Sequence, residues 1–182
     1  MSKAFIFLDR DGTLVRDPGY VHRLEDYALL DGVVEGLQLL RDAGYRFAIL
    51  TNQSGIGRGH FGESDFALFQ GHLVRDLRSQ DIKIEGTFHC PHGPEDGCSC
   101  RKPSAGLLRK AQAEFGADLS RSWMLGDSEA DVGMARSGGI GMVRVNAKLS
   151  GRTPADGFGA SEVPIFPDLL VAARYILTQL AD

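Results

Sequence analysis

The chain predicts an α/β fold: a doubly wound, Rossmann-like, mostly parallel sheet with helices on both faces. Two observations carry that prediction. Short apolar runs alternate with longer stretches of helical period, strand then helix, along the chain. The first two runs are also almost continuously hydrophobic, as parallel strands covered on both faces require, whereas a half-exposed strand would alternate.

Strands are expected at Ala4 to Leu8, Arg46 to Leu50, Ile84 to His89, Ser122 to Gly126 and Gly141 to Val145. Trp123 is expected in the core. Helical stretches lie between them. The first covers residues 31–44, with Asp31 as N-cap and Gly44 as stop, and the second covers 63–80. The third covers 104–116, capped by Ser104 and stopped by Gly116, and the fourth 128–139. A loop over 148–160 leads to an edge strand at 162–166 and a last helix at 167–180. At 182 residues the chain suits one domain, 1–182.

Composition restricts the setting. Hydrophobic residues make up 43%, and 20 basic against 24 acidic residues leave a net charge of −4. That balance provides no positive field for nucleic acid or an anionic membrane. The apolar run near the N-terminus is too short for a signal sequence, and none approaches a membrane span, so a cytoplasmic monomer without nucleic-acid or membrane partners is expected.

The polar cluster after each strand carries the chemistry. "DRDGT" comes after the first, "TNQSG" after the second, "RKP" after the third and "GDSEAD" after the fourth. Ligands of open α/β sheets bind outside the carboxyl ends of the strands, so these clusters converge on one site. Asp9 and Asp11 can point the same way, although "DRDG" alone reads equally well as a solvated turn. Asp127 and Asp131 weigh against the turn, because gathered carboxylates repel unless a cation joins them, and hard oxygen ligands suit Mg²⁺. Thr51, Asn52 and Ser54 supply hydrogen-bond donors, and Arg101 and Lys102 fixed positive charge. A carboxylate approaching a phosphate dianion meets a repulsion of about 4 kcal/mol per charge pair at about 4 Å and an effective dielectric of about 20. A divalent cation and a lysine offset it, so the set describes a phosphoryl-transfer site.

In this order and at strand ends, the four motifs resemble those of the haloacid dehalogenase superfamily of phosphohydrolases, over Phe5 to about Val145. More narrowly, "GYVH", "TNQSGIGRGHF" and "CPHGPEDGCSCRKP" are similar to the D-glycero-D-manno-heptose 1,7-bisphosphate phosphatases, with histidinol-phosphate phosphatases as near relatives. The resemblance implies that Asp9 is the nucleophile, Asp11 the general acid/base, and Thr51 and Lys102 the holders of the transferring phosphoryl group. It places Mg²⁺ on Asp9, the Asp11 carbonyl and Asp127, and a sugar against Asp17 and Tyr20. The implied substrate is the small-molecule sugar phosphate of the family's name, cut at C7 on the way to nucleotide-activated heptose. Asn52, Ser54, Arg58 and Arg101 complete the expected substrate contacts, the arginines at its second phosphate.

All three cysteines fall within "CPHGPEDGCSCRKP". Cys90, His92, Cys98 and Cys100 form C-x-H-x₅-C-x-C, a closed tetrahedral set for structural Zn²⁺. Cys100 adjoins Arg101, so clamping the loop is expected to aim Arg101 and Lys102. "GRGHFG" mimics a dinucleotide fingerprint, but the helix after it opens with Glu63 and Asp65, which would repel a pyrophosphate. It reads instead as a substrate loop. His22 and His60 read as surface residues without partners. Asp11 and Thr51 are 40 residues apart, and Thr51 and Lys102 are 51 apart, which leaves no room for a cap domain over the site. Histidinol-phosphate phosphatase, a nucleic-acid 3′-phosphatase and a zinc-stabilised module without activity are the alternatives. The charge disfavours the second and the intact acidic set the third.

Overall fold

The computed structural model describes residues 3–146 and 163–179. Its sheet, among the described residues, has six parallel strands: β1 (Phe5–Leu8), β2 (Arg46–Asn52), β3 (Ile84–Cys90), β4 (Trp123–Gly126), β5 (Gly141–Val145) and β6 (Ile165–Phe166), in the order β3-β2-β1-β4-β5-β6. The helices are α1 (Val33–Asp42), α2 (Ser54–Gly57), α3 (Glu63–Ser79), α4 (Gly106–Phe115), α5 (Glu129–Gly138) and α6 (Leu169–Thr178). None of them is long and apolar enough to cross a membrane.

The continuous hydrophobicity of β1 has the expected cause. Ile6 and Leu8 pack against α1, α3 and α6 through Leu37, Phe69, Leu73 and Ala173, whereas Phe5 and Phe7 pack against α4 and α5 through Leu108, Ala111 and Met134. Both faces are therefore covered, and all four β1 side chains are fully buried. α1 meets α6 at Gly36, where a Cβ would fall 2.5 Å from the Leu169 side chain. The chain winds from β1 out to β3, then crosses to β4 on the other side of β1. That reversal opens a crevice at the carboxyl ends of β1, β2 and β4.

Several boundaries differ from the sequence expectation. β2 runs on through Thr51 and Asn52, and β3 through Cys90, so these residues end strands rather than follow them. α1 is preceded by Gly32 at φ 74°, not by an Asp31 cap. α4 starts at Gly106 rather than at Ser104, because the chain is still turning there. A Cβ on Gly106 would sit 2.1 Å from the Ser99 carbonyl oxygen, so the backbone of the cysteine-rich loop closes on that helix start. Gly44 and Gly116 do stop their helices in the left-handed region. Trp123 is only partly buried, at the start of β4. The edge strand shrinks to Ile165–Phe166, and the loop over 148–160 lies outside the described residues. No cap domain interrupts the stretch from Asp11 to Lys102.

Candidate active site

The crevice is built from the ends of β1, β2 and β4. Asp9 follows β1, its N–H bonded to the Leu125 carbonyl of β4 at 2.9 Å. The chain then doubles back, with Gly12 N donating to Val15 O at 2.8 Å. Gly12 sits at φ 79°, and a Cβ there would lie 2.4 Å from Asp127 Oδ2. Glycine alone meets both demands, and it lets the "DRDGT" turn close onto the β4 end.

Lys102 is buried at the centre of the site, and its three ammonium protons are all engaged. Nζ lies 2.8 Å from Asp9 Oδ1, 2.6 Å from Asp131 Oδ1 and 2.9 Å from Leu50 O. Burial alone would lower the lysine pKa, but the Asp9 and Asp131 carboxylates outweigh it and hold the ammonium charged well above its usual range. Asp9 Oδ1 also accepts from Arg10 N at 2.8 Å. Oδ2 of Asp9 is left without a hydrogen bond among the described residues.

Asp131 was legible in the sequence as a converging carboxylate, but its role was not. It is fully buried, and its Oδ2 accepts from Ser128 Oγ at 2.6 Å and Ser128 N at 3.1 Å. One side chain thus closes the first turn of α5 and fixes Lys102. Asn52 has a comparable duty. Its Nδ2 donates to Lys102 O at 3.1 Å and its Oδ1 accepts from Lys102 N at 3.0 Å, so the amide expected to meet substrate is occupied in seating the lysine. Thr51 is buried and Ser54 opens α2.

Asp9, Asp127 and Asp131 place carboxylate oxygens within 4.8 Å of one another. Three carboxylates against one ammonium leave two excess negative charges. Burial, only partly offset by Lys102, pushes Asp9 up to about 7. Burial and the Asp131 charge push Asp127 up to about 6. A site that binds protons this readily fits a divalent cation on oxygen ligands. The Asp11 carboxylate is not part of this group: it is gripped by Arg10 and Gln53, two residues the sequence reading did not single out. Neither carries a motif of its own, and both contacts depend on the fold.

Cys90, His92, Cys98 and Cys100 also gather within 4.8 Å. Cys100 Sγ lies 3.1 Å from Cys90 Sγ and 3.3 Å from His92 Nδ1, and Cys98 Sγ is 3.6 Å from each of the other sulfurs. A tetrahedral site with Zn–S bonds of about 2.3 Å sets its sulfurs about 3.8 Å apart, close to the two Cys98 edges, while the Cys90–Cys100 edge is shorter. Burial raises the Cys90 thiol to about 12. Burial works against ionisation at Cys98 too, but the Arg101 backbone N–H and the neighbouring thiols bring it down to about 7. Zn²⁺ would displace the protons from such a set. The loop is tied to the site, since Gln53 N donates to Cys90 O at 2.7 Å and Gly57 N to Pro91 O at 3.0 Å. Arg101 Nη1 donates to His92 O at 3.1 Å, and Arg101 and Lys102 line a cleft of about 260 Å³ with Gly93, Pro94 and Ser104.

The two remaining loops meet each other. Arg58 Nη1 donates to Tyr20 Oη at 3.0 Å, and Tyr20 lies against His60 with ring centroids 4.5 Å apart. His22 stacks on Phe61 at 4.7 Å. Both histidines, read from sequence as lacking partners, therefore join the loop pair, because the pairing is between segments some 40 residues apart. Asp17 accepts from Gly19 N at 2.8 Å and adds to the negative charge around Asp127. Asp65 accepts from Gly62 N at 2.8 Å, which closes the α3 start with a carboxylate where a dinucleotide would need its pyrophosphate.

The chain is similar to known proteins in sequence and fold. The HAD-hydrolase-like family model matches residues 99–172. The chain is 38% identical to the D-glycero-beta-D-manno-heptose-1,7-bisphosphate 7-phosphatase of Haemophilus influenzae over 99% of both chains. It is 41% identical to the D-glycero-alpha-D-manno-heptose-1,7-bisphosphate 7-phosphatase of Campylobacter jejuni, over 80% of this chain and 84% of that one. The crystal structure of D,D-heptose 1,7-bisphosphate phosphatase from B. bronchiseptica, complexed with magnesium and phosphate, superposes with a TM-score of 0.83 at 29% identity over 97% of this chain and 99% of that one.

Proposed function

The chain belongs to the D-glycero-D-manno-heptose-1,7-bisphosphate 7-phosphatase family of HAD-like hydrolases and is a phosphoric monoester hydrolase; from that premise we propose that it removes the C7 phosphate of this heptose bisphosphate with Mg²⁺ bound at Asp9, the Asp11 carbonyl and Asp127. The observation that carries the reading is the buried Lys102 between Asp9 and Asp131, a fixed cation set against a nucleophile-ready carboxylate.

When bound, Mg²⁺ supplies charge that lowers the repulsion between Asp9 and the phosphate dianion. Asp9 Oδ2, the oxygen without a hydrogen bond, attacks phosphorus. The bond from phosphorus to the C7 oxygen breaks, and that oxygen takes a proton from Asp11. Lys102 can exchange its Asp9 contact for a phosphoryl oxygen while Asp131 and the Leu50 carbonyl keep it in place. Thr51 donates to the same group. A water then loses its proton to Asp11 and attacks the aspartyl-phosphate, the bond from phosphorus to Asp9 breaks, and inorganic phosphate leaves.

The set Cys90, His92, Cys98 and Cys100 would hold Zn²⁺ with no open position, which suits a structural role. Arg101 and Arg58 are taken as the contacts of the second phosphate, and Asp17 and Tyr20 as those of the sugar. The proposal includes a cytoplasmic, monomeric enzyme. Its test is phosphate release from both anomers of the heptose bisphosphate and from histidinol phosphate, together with trapping of phosphoenzyme. The expected result is a kcat/KM at least about a hundredfold higher for the bisphosphate, and no phosphoenzyme in Asp9→Asn. Comparable efficiency on both substrates would overturn the substrate assignment and leave the phosphatase standing.

A further inference from the structure

Both carboxylate oxygens of Asp11 are taken. Arg10 Nε donates to Oδ1 at 2.6 Å and Nη2 to Oδ2 at 3.0 Å, while Gln53 Nε2 donates to Oδ2 at 2.8 Å. The fork is set deep in the protein. Arg10 is fully buried, and its guanidinium lies 5.5 Å and 4.8 Å from the ring centroids of Phe66 and Phe69. Its Nη2 also lies 2.9 Å from Val21 O and 3.1 Å from Gln53 Oε1, so its two N–H groups are shared among three acceptors. Arginine can only donate, so the Gln53 atom facing it is the oxygen, and the amide nitrogen faces Asp11 and Thr51. Gln53 therefore donates to Thr51 Oγ1 at 2.9 Å, which leaves the Thr51 hydroxyl proton for a phosphoryl oxygen.

A bidentate fork onto a buried, immobile guanidinium is the strongest geometry available to a carboxylate. A side chain held there by three donors does not reach a leaving-group oxygen without exchanging partners. We propose that Arg10 and Gln53 are positioning residues that dock the Asp11 carboxylate in one resting orientation, which it leaves to serve the leaving group and to which it returns before the next turnover. The proposal rests on the reading of Asp11 as the general acid/base. Without the dock Asp11 has no single orientation from which to swing to the leaving group and to which to return, so fewer encounters with substrate end in proton delivery. In kcat/KM, which reports formation of the aspartyl-phosphate and not the later water activation common to all esters, the loss is then confined to substrates whose leaving group needs that proton.

The test compares heptose 1,7-bisphosphate, whose alkoxide must be protonated, with 4-nitrophenyl phosphate, whose leaving group departs without help. Arg10→Lys keeps the buried charge and loses the fork. Gln53→Met keeps the volume and loses the amide, and it carries the test if Arg10→Lys does not fold. Each is made alone and on Asp11→Asn, with thermal unfolding measured alongside. Arg10→Lys should lose at least about tenfold in kcat/KM on the sugar ester and less than about threefold on the nitrophenyl ester, with no further loss on the sugar ester in the Asp11→Asn background. Gln53→Met should show the same bias in the ratio of the two losses, since any effect through Thr51 falls on both esters. Equal losses on the two esters, or losses that multiply with that of Asp11→Asn, would make the pair merely structural and overturn the proposal. Equal losses from Asp11→Asn itself would overturn the acid/base reading, an outcome distinct from the first because it appears with Arg10 intact.

Discussion

Asn52 holds Lys102 by both of its backbone groups, accepting from its N–H at 3.0 Å and donating to its carbonyl at 3.1 Å. A residue at the end of β2 thereby fixes the cation that follows the cysteine-rich loop 50 positions later. Losing both bonds should cost about 1–3 kcal/mol of stability. Displacing the lysine by even an ångström should lower kcat by about a hundredfold. Asn52→Ala tested by urea unfolding and steady-state kinetics should show both effects, with KM changing far less than kcat.

Asp131 should be needed for stability as well as rate. Without Asp131 the buried Lys102 ammonium keeps Asp9 as its carboxylate partner but loses a charge-assisted hydrogen bond, and Ser128 loses its reciprocal partner, which together should cost about 1–3 kcal/mol. Asp131→Ala strips Lys102 of a 2.6 Å partner and α5 of its reciprocal cap. Its unfolding midpoint in urea should fall by a corresponding amount, and activity should drop at conditions where the protein is still folded.

The carboxylates should make Mg²⁺ stabilisation depend on pH. Asp9 at about 7 and Asp127 at about 6 lie above the unfolded value of 3.8, so the folded protein binds more protons than the unfolded chain between those values. The contribution of those protons is complete below about pH 4 and is lost as pH rises through about 6 to 7. In Mg²⁺-free buffer without chelator, Tm should decline from about pH 5 to about pH 8. Added Mg²⁺ replaces the protons, and its Tm increment should be larger at about pH 8 than at about pH 5.5. An increment independent of pH would count against cation binding at these residues.

Zinc should be structural. Chelation, or Cys98→Ser, should lower Tm and activity together by freeing the loop that bonds to Gln53 and Gly57. Excess Mg²⁺ should not restore the activity, because a closed ligand set activates no water. Full activity in a sample shown by metal analysis to lack zinc would contradict this.

Arg101 should act on substrate choice rather than on chemistry. Its side chain is anchored to the His92 carbonyl and faces the cleft shared with Lys102. Arg101→Ala should erase most of the preference for heptose bisphosphate over histidinol phosphate, with kcat on nitrophenyl phosphate falling by less than about threefold.

The alternation of runs, the order of the polar clusters and the ligand types in the zinc loop are properties of neighbouring residues, and the sequence by itself determined them. A continuous "FIFL" must be covered on both faces, and parallel strands must end on one edge, so the convergence of Asp9, Lys102 and Asp127 follows from the order of strands and polar clusters. The C-x-H-x₅-C-x-C spacing likewise anticipates the gathering of Cys90, His92, Cys98 and Cys100. Tertiary structure decided which partner each side chain takes. Asn52 turned from substrate to Lys102, Asp11 to Arg10 and Gln53, and His22 and His60 to Phe61 and Tyr20. These pairings join segments far apart in the chain, and hydrogen-bond geometry at about 3 Å is set only when both backbones are in place. The helix starts shifted for the same reason: Asp31 and Ser104 are good caps by type, but whether the chain is still turning there is settled by what packs against it.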